Sequence, residues 1–245
     1  MTGLRRAGLL WPSLATLVAL AILIGLGTWQ LQRKAWKEAL IAQVDARAHG
    51  VPQPLPPEAR WPDWKPQDEE FRRVTAQGRL DPDRTVLVHG ILPGATRGMP
   101  VQGYYVFAPL SLNEGGTVMV NRGFIPSELK DQPRAPWRGT AGPATVTGLM
   151  RAPERRTLFV PENDPARETW FVRDVAQMAG ARGLSRVAPF YVEAEASPGG
   201  SEWPKPGQAF VDLPNNHLQY AFTWFGIAAT LLGVFAVFAR QRLRR

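Results

Sequence analysis

Two long apolar runs lie near the two ends of this 245-residue chain. Residues 9–29 and residues 218–239 contain no charged side chain. Each run is long enough to cross the roughly 30 Å hydrocarbon core of a bilayer, which takes about 20 helical residues. The alternative for the first run is a cleaved signal peptide, since Arg5 and Arg6 precede it. That run is longer than the usual signal core of about 7–15 residues, and no A-x-A cleavage site follows it. We therefore predict two transmembrane helices.

The segment after the first run changes character twice. Residues 36–48 keep a helical pattern and continue the first helix outward. Residues 51–66 then hold six prolines, a density that excludes a regular helix or a central strand. We predict an extended crossing segment here, which Trp61 and Trp64 attach to the rest of the domain.

The remaining middle region shows the period-two alternation of strands, interrupted by turn residues. We expect a first hairpin around residues 81–83, a second around residues 113–116, and further strands in an antiparallel, barrel-like sheet. The fold class is thus α+β, a membrane protein with two terminal helices around a mainly antiparallel β domain that has few short helices. The predicted strands are residues 71–80, 85–89, 103–112, 117–121, 145–150 and 189–195, and the predicted helix is residues 173–181.

The net charge of +8 belongs to the segments that flank the two apolar runs. Residues 1–39 and residues 213–245 each carry a net charge of +4, which leaves the middle of the chain neutral. A nucleic-acid-binding protein needs its positive charge on the binding domain, so this function class is excluded. The basic residues are instead expected to interact with a lipid bilayer.

The same charges predict the orientation in the membrane. Six arginines lie outside the two runs toward the termini, whereas only three basic residues follow the first run. By the positive-inside rule, both termini are cytoplasmic and the central domain is periplasmic. Because no Arg- and Ser-rich presequence precedes the first run, we expect a multi-pass protein of a bacterial inner membrane. The predicted segments are a cytoplasmic N-terminus (1–8), the first span (9–29), the periplasmic domain (30–217), the second span (218–239) and a basic cytoplasmic tail (240–245).

Small residues recur at helical spacing in both apolar runs. Gly226, Thr230 and Gly233 share one face of the second helix, and Ala21 and Gly25 share one face of the first. Such faces allow close helix association in lipid. The alternative is that Gly and Ala are simply common in membrane helices.

Three short motifs, in this order, resemble the surfeit-locus family of cytochrome oxidase assembly proteins. Residues 27–34 read GTWQLQRK at the exit of the first run, and residues 121–126 read NRGFIP in the middle of the chain. Residues 215–224 read NNHLQYAFTW at the entry of the second run. The resemblance covers nearly the whole chain, because the family has the same two-span layout.

The resemblance implies a non-enzymatic, chaperone-like role in building the haem–copper terminal oxidase, cytochrome c oxidase. It implies haem a as the cofactor, with His217 as the ligand of the haem iron. The implied partners are oxidase subunit I and the machinery of haem a synthesis. The alternative is a membrane scaffold that holds oxidase subunits during assembly and never binds haem.

The residues around His217 support a ligand role on their own chemistry. Asn216 is a favourable N-cap and, with Gln219, resembles a capping box, which places His217 in the first helical turn. The positive end of the helix dipole disfavours a charged imidazole there, and a neutral imidazole can ligate iron. Tyr220 and Trp224 share the face of His217 and would form an aromatic wall for a porphyrin. The alternative is an interfacial histidine without a ligand.

The two-span layout brings the first motif to the same depth as His217. Trp29 would then contact the ring, and Arg33 or Lys34 would bind its propionates through charge-assisted hydrogen bonds. The alternative for Arg33 and Lys34 is anchoring to lipid headgroups.

Other chemistries find little support in the sequence. The chain has no cysteine, which excludes disulfides and thiolate sites, and its three histidines form no hydrolytic grouping. A sensor would need an output domain, but only six residues follow the second run. The segment NRGFIP is expected to be structural: Gly123 permits a bulge or a positive φ, Pro126 ends a strand, and Arg122 pairs with a carboxylate.

Overall fold

The computed structural model describes residues 9–96, 99–132, 136–196, 203–206 and 215–244. It divides into two compact units, one formed by residues 1–44 and 212–245 and the other by residues 45–211. The helices are α1 (Leu10–Ala48), α2 (Pro66–Glu69), α3 (Val175–Ala181) and α4 (His217–Leu243). The strands are β1 (Gln53–Pro54), β2 (Arg73–Leu80), β3 (Val86–Thr96), β4 (Met99–Leu112), β5 (Thr117–Pro126), β6 (Gly142–Arg151) and β7 (Val187–Ala194).

The first unit consists of two long helices. α1 contains the first apolar run and continues without a break through the predicted helical extension at residues 36–48. α4 contains the second apolar run. Both helices are long and apolar enough to cross a membrane, and most of their apolar side chains are not covered by protein. That exposure is unfavourable in water and favourable in lipid.

The second unit is built on a seven-stranded sheet of order β1-β2-β6-β7-β5-β4-β3, with an additional pairing of β2 and β4. The pairings of β1 with β2 and of β5 with β7 are parallel and the others are antiparallel, so the sheet is mixed. The strands β2, β6, β7, β5 and β4 pair in that order, and β4 also pairs with β2. These five strands therefore form a closed ring of pairings. Because that closing pairing spans only three residue pairs, it does not by itself establish the predicted barrel-like form.

The second predicted hairpin is confirmed and the first is wrong. β4 and β5 pair around residues 113–116 as expected. The turn after β2 also forms, as a 3₁₀ helix at Pro82–Arg84 that Asp81 caps. However, β2 pairs with β1, β6 and β4, whereas β3 pairs with β4. The strands before and after this turn are therefore not paired with each other, and the turn does not form a hairpin.

The central strands are buried on both faces. In β5, Val118 and Val120 pack in one apolar cluster and Met119 in another, since successive side chains of a strand point to opposite faces. Phe190 and Tyr191 of β7 divide in the same way. α3 covers one of these clusters through Val175 and Met178.

The proline-rich segment covers the other cluster. It contains the edge strand β1 and, contrary to the prediction of a wholly extended segment, a six-residue 3₁₀ helix at Glu58–Asp63. Trp61 is 6% exposed, its ring meets Phe190 edge-on at 6.2 Å between centroids, and its Nε1 donates to the carbonyl of Pro56. Trp64 packs against the same phenylalanine. The predicted attachment by two tryptophans is thus confirmed.

Candidate functional site

His217 is the first residue of α4. Asn216 occupies the predicted N-cap position, but its side chain makes no capping hydrogen bond, so the predicted capping interaction is absent there. The carbonyl of Asn216 accepts a hydrogen bond from the backbone N–H of Tyr220 at 3.2 Å. The first turn of α4 is therefore closed by a backbone hydrogen bond, without a side-chain cap from Asn216.

The imidazole contacts α1. Nδ1 of His217 lies 2.7 Å from Oε1 of Gln30, a residue 187 positions away in the sequence. An amide oxygen only accepts hydrogen bonds, so Nδ1 carries the proton and donates it. An imidazole with its one proton on Nδ1 has its lone pair on Nε2, which is the form that ligates a metal ion.

The two helices pack along one stripe each. Covered positions recur every three or four residues, which is the spacing of one helical face. On α1 the stripe includes Leu20, Gly27 and Gln30, and on α4 it includes Ala221 and Ala228. The two helices are therefore neighbours, and the end of the first apolar run lies beside the start of the second.

Gly27 shows how close the approach is. A Cβ atom added at Gly27 would lie 2.5 Å from the ring of Phe225, so only glycine fits without a shift. By contrast, a Cβ added at Gly25, Gly226 or Gly233 would meet no atom within 4 Å. The glycines predicted to form the packing faces are thus not at this contact, and the glycine that does form it was not singled out from the sequence.

The structure brings together only some of the predicted aromatic residues. His217 and Trp224 are both half-buried on the stripe of α4, with Trp224 two turns further along. Tyr220 and Trp29 are 54% and 53% exposed. Of the three predicted aromatic residues, only Trp224 is partly covered on the same stripe as His217. Tyr220 and Trp29 are exposed and could contact another molecule.

Arg33 and Lys34 lie one turn beyond Gln30 on α1 and interact within their own helix. The guanidinium of Arg33 lies over the ring of Trp36, 3.9 Å from its centroid. Nζ of Lys34 is 2.6 Å from a carboxylate oxygen of Glu38. Neither contact is buried, so either cation can exchange it for an anionic group of a ligand at small cost.

The residues present fit a haem better than a bare metal ion. Across the described residues, no group of three or more His, Cys, Asp and Glu side chains could hold a metal ion. A haem brings four iron ligands of its own and needs only an axial one. A haem also needs contacts for its ring and its propionates. In the described part of the chain, the candidates are His217, the aromatic side chains Trp29, Tyr220 and Trp224, and the cations Arg33 and Lys34, of which Arg33 is exposed and Lys34 partly exposed.

Comparison with known proteins identifies the family. The SURF1 family model matches residues 17–229. The chain belongs to the SURF1 family. Surfeit locus protein 1 of Rattus norvegicus is 35% identical over 240 residues, which cover 90% of this chain and 74% of the rat protein. The Homo sapiens protein of that name is 35% identical over 84% of this chain and 70% of its own length. A SURF1-like protein of Monosiga brevicollis is 34% identical over 97% of this chain and 90% of its own length.

The region that matches the SURF1 family model includes both Gln30 on α1 and His217 on α4. SURF1 proteins are known as cytochrome oxidase assembly factors, which is the role that the three motifs implied. Assembly factors of this family are generally not catalytic.

The segment NRGFIP of this SURF1 chain has a structural role. Gly123 has φ of +127°, the registers of β4 and β5 slip beside it, and Pro126 is the last residue of β5, all as predicted. Among the described residues Arg122 pairs with no carboxylate, contrary to the prediction: its Nη1 donates to the carbonyls of Trp137 and Arg138 at 2.8 and 2.9 Å. Burial lowers the pKa of this guanidinium.

His89 lies on β3 and is exposed. Its ring stacks on Phe171 at 4.9 Å and tilts against Tyr104 at 4.6 Å between centroids. Partial burial, with the nearby charge of Lys130, lowers its pKa. It borders an open cavity of about 400 Å³. His49, the third histidine, directly follows α1 and bonds to Asp45 of that helix.

Proposed function

We propose that this SURF1-family chain assists assembly of the haem–copper terminal oxidase by binding haem a through His217 and presenting it to the catalytic subunit, subunit I. The observation that carries the proposal is the position of His217. It lies half-buried between two apolar helices, with Nδ1 bonded to Gln30 and Nε2 available. A histidine with only an interfacial role would not need a partly buried polar partner from the other helix.

Each part of the site has a task in this proposal. His217 would hold the haem iron through Nε2, and Trp224 and Tyr220 would contact the porphyrin. Trp29 closes the side formed by α1. Arg33 and Lys34 give up their contacts with Trp36 and Glu38 to bind the propionates. When bound, haem a supplies the redox-active iron that the oxidase requires, and the chain itself needs no catalytic residue.

The proposal places this site in a bacterial inner membrane. α1 and α4 cross the bilayer, both termini are cytoplasmic, and the sheet domain is periplasmic, in accordance with the distribution of basic residues. The haem would then lie near the outer face of the membrane. The proposed partners are the haem a synthesis machinery as donor and oxidase subunit I as acceptor.

A scaffold without haem is the second candidate function, and the outer faces of the helices favour it. Gly226 and Gly233 have open space where a Cβ would be, so a helix of another protein could approach closely there. The chain would then hold oxidase subunits by contacts within the membrane.

Haem binding separates the two functions. The chain is expressed with haem a synthesis enabled, purified in mild detergent, and its reduced-minus-oxidised spectrum is recorded beside that of His217→Ala. We expect a haem a band in the unmodified chain and its loss in the variant, because an axial ligand is removed. His49→Ala is the matched control, since His49 is exposed and bonded to Asp45, four residues before it. It should retain the band.

Two outcomes would contradict haem binding by His217. If folded preparations of the unmodified chain contain no haem a, the scaffold function is favoured. If the band persists in His217→Ala at the same intensity and position, His217 is not the ligand.

A further inference from the structure

The hydrogen bond between His217 and Gln30 fixes more than the distance between two helices. A neutral imidazole can carry its proton on either nitrogen, and the nitrogen without the proton is the one that can bind a metal. Oε1 of Gln30, 2.7 Å from Nδ1, accepts a proton there and offers no donor to it. The contact therefore selects the tautomer in which Nε2 is unprotonated.

The bond also fixes the direction of the ring. Nδ1 is anchored toward α1, so Nε2, on the opposite side of the imidazole, points away from that anchor. Both residues border the charge-free runs of their helices, where few other hydrogen-bonding groups compete. Close packing of Gly27 on Phe225 one turn away keeps the two backbones at the distance that the bond requires.

We propose that Gln30 is the positioning residue of His217, holding the imidazole in the Nδ1–H tautomer with Nε2 directed to the ligand. This inference rests on the proposed function, since the ligand in question is the haem iron. Gln30 itself touches no haem and acts only through His217. Groups that orient a metal-binding histidine in this way typically change metal affinity by about 10–100-fold when they are removed.

The tautomer can be measured without haem. The full chain is labelled with ¹⁵N-histidine in detergent, and the imidazole nitrogen shifts of His217 are assigned by their loss in His217→Ala. Gln30→Leu removes the acceptor at similar volume, and Gln30→Glu keeps an acceptor oxygen. The glutamate would have Lys34 four residues along the helix, which favours its charged form. Gln32→Leu is the control, because Gln32 is an exposed glutamine of the same helix.

We expect the unmodified chain, Gln30→Glu and Gln32→Leu to show a protonated Nδ1 and an unprotonated Nε2. Gln30→Leu should show averaged nitrogen shifts from both tautomers. In a parallel titration with haem, Gln30→Leu should bind about 10–100-fold more weakly, with recovery to within a few-fold in Gln30→Glu.

The two measurements fail in different ways. If Gln30→Leu leaves the nitrogen shifts of His217 unchanged, the positioning role is wrong, whatever haem does. If Gln30→Leu changes the tautomer but leaves haem affinity unchanged, the role toward the ligand is wrong. If the unmodified chain holds the Nδ1–H form yet takes up no haem, the proposed function fails while the assignment of the tautomer stands.

Discussion

Gly123 adopts a backbone conformation that few residues other than glycine tolerate. Its φ is +127°, and a Cβ atom there would lie 2.5 Å from the carbonyl oxygen of Lys205. The side chain of Asn121 accepts a hydrogen bond from the N–H of Gly123, and Phe124 exchanges backbone hydrogen bonds with Lys205. The glycine thus lets a second chain segment cross directly over β5.

We predict that Gly123→Ala destabilises the sheet domain. The positive φ alone costs about 1–3 kcal/mol for a residue with a side chain, and the clash with Lys205 adds to it. The midpoint of thermal unfolding, followed by circular dichroism of the full chain, should fall by roughly 2–4 °C for each kcal/mol. Gly142→Ala is the control, since a Cβ there meets no atom within 4 Å. Equal midpoints for the two variants would refute the prediction.

The sequence allowed His217 to be predicted as the centre of the site but gave no reason to select Gln30 as its partner. A histidine at a helix start next to an apolar run is visible in a single motif. The bond to Gln30 depends on the rotation of two helices about their axes, which no local pattern specifies. Arg122 illustrates the same limit, because its carbonyl acceptors come from a 3₁₀ turn 15 and 16 residues away.

The contact between α1 and α4 depends on one small residue. Helices in lipid gain little from burying apolar side chains, so their association relies on close packing and on hydrogen bonds between them. Gly27 supplies the close packing against Phe225, and Gln30 with His217 supplies the hydrogen bond. These two features lie one turn apart on α1 and support each other.

We therefore predict that Gly27→Val separates the helices and releases His217 from Gln30. A side chain at Gly27 collides with the Phe225 ring, so the ring must leave this contact or the backbones must move apart or rotate. The ¹⁵N shifts of His217 should change as in Gln30→Leu, and haem retention should fall with them. Gly25→Val places the same side chain where no atom lies within 4 Å of the added Cβ and should leave both readouts unchanged. Indistinguishable nitrogen shifts for the two valine variants would contradict this account.

Strands were predicted better than their pairing. Alternation located six of the seven strands, because it reports the burial of alternate side chains. The error at β2 and β3 arose because a short turn was taken as a hairpin, whereas β2 finds its main partner, β6, about 70 residues later in the chain. The two-residue strand β1 was missed, since proline-rich sequence pairs only along the edge of a sheet.

The chain as a whole separates two kinds of surface. The sheet domain has a neutral sum of charges, with ion pairs such as Arg73–Glu195 at 2.7 Å and Arg151–Glu193 at 3.1 Å joining its strands. The positive excess flanks the two apolar helices. The position of charge along the sequence argued against nucleic-acid binding and gave the predicted orientation, because both depend on where charge lies and not on how strands pair.

The orientation gives the last prediction, and the absence of cysteine makes it directly testable. Val51 is 86% exposed in the unit that holds the sheet, and Arg244 is exposed beyond the second apolar run. In spheroplasts, a membrane-impermeant maleimide should label Val51→Cys as fully as it does after detergent is added. It should label Arg244→Cys only in detergent. The reverse pattern would place the sheet domain in the cytoplasm, and labelling of both positions in sealed spheroplasts would mean that the two lie on the outer side. Either result would contradict the proposed topology, in which His217 lies near the outer face of the membrane.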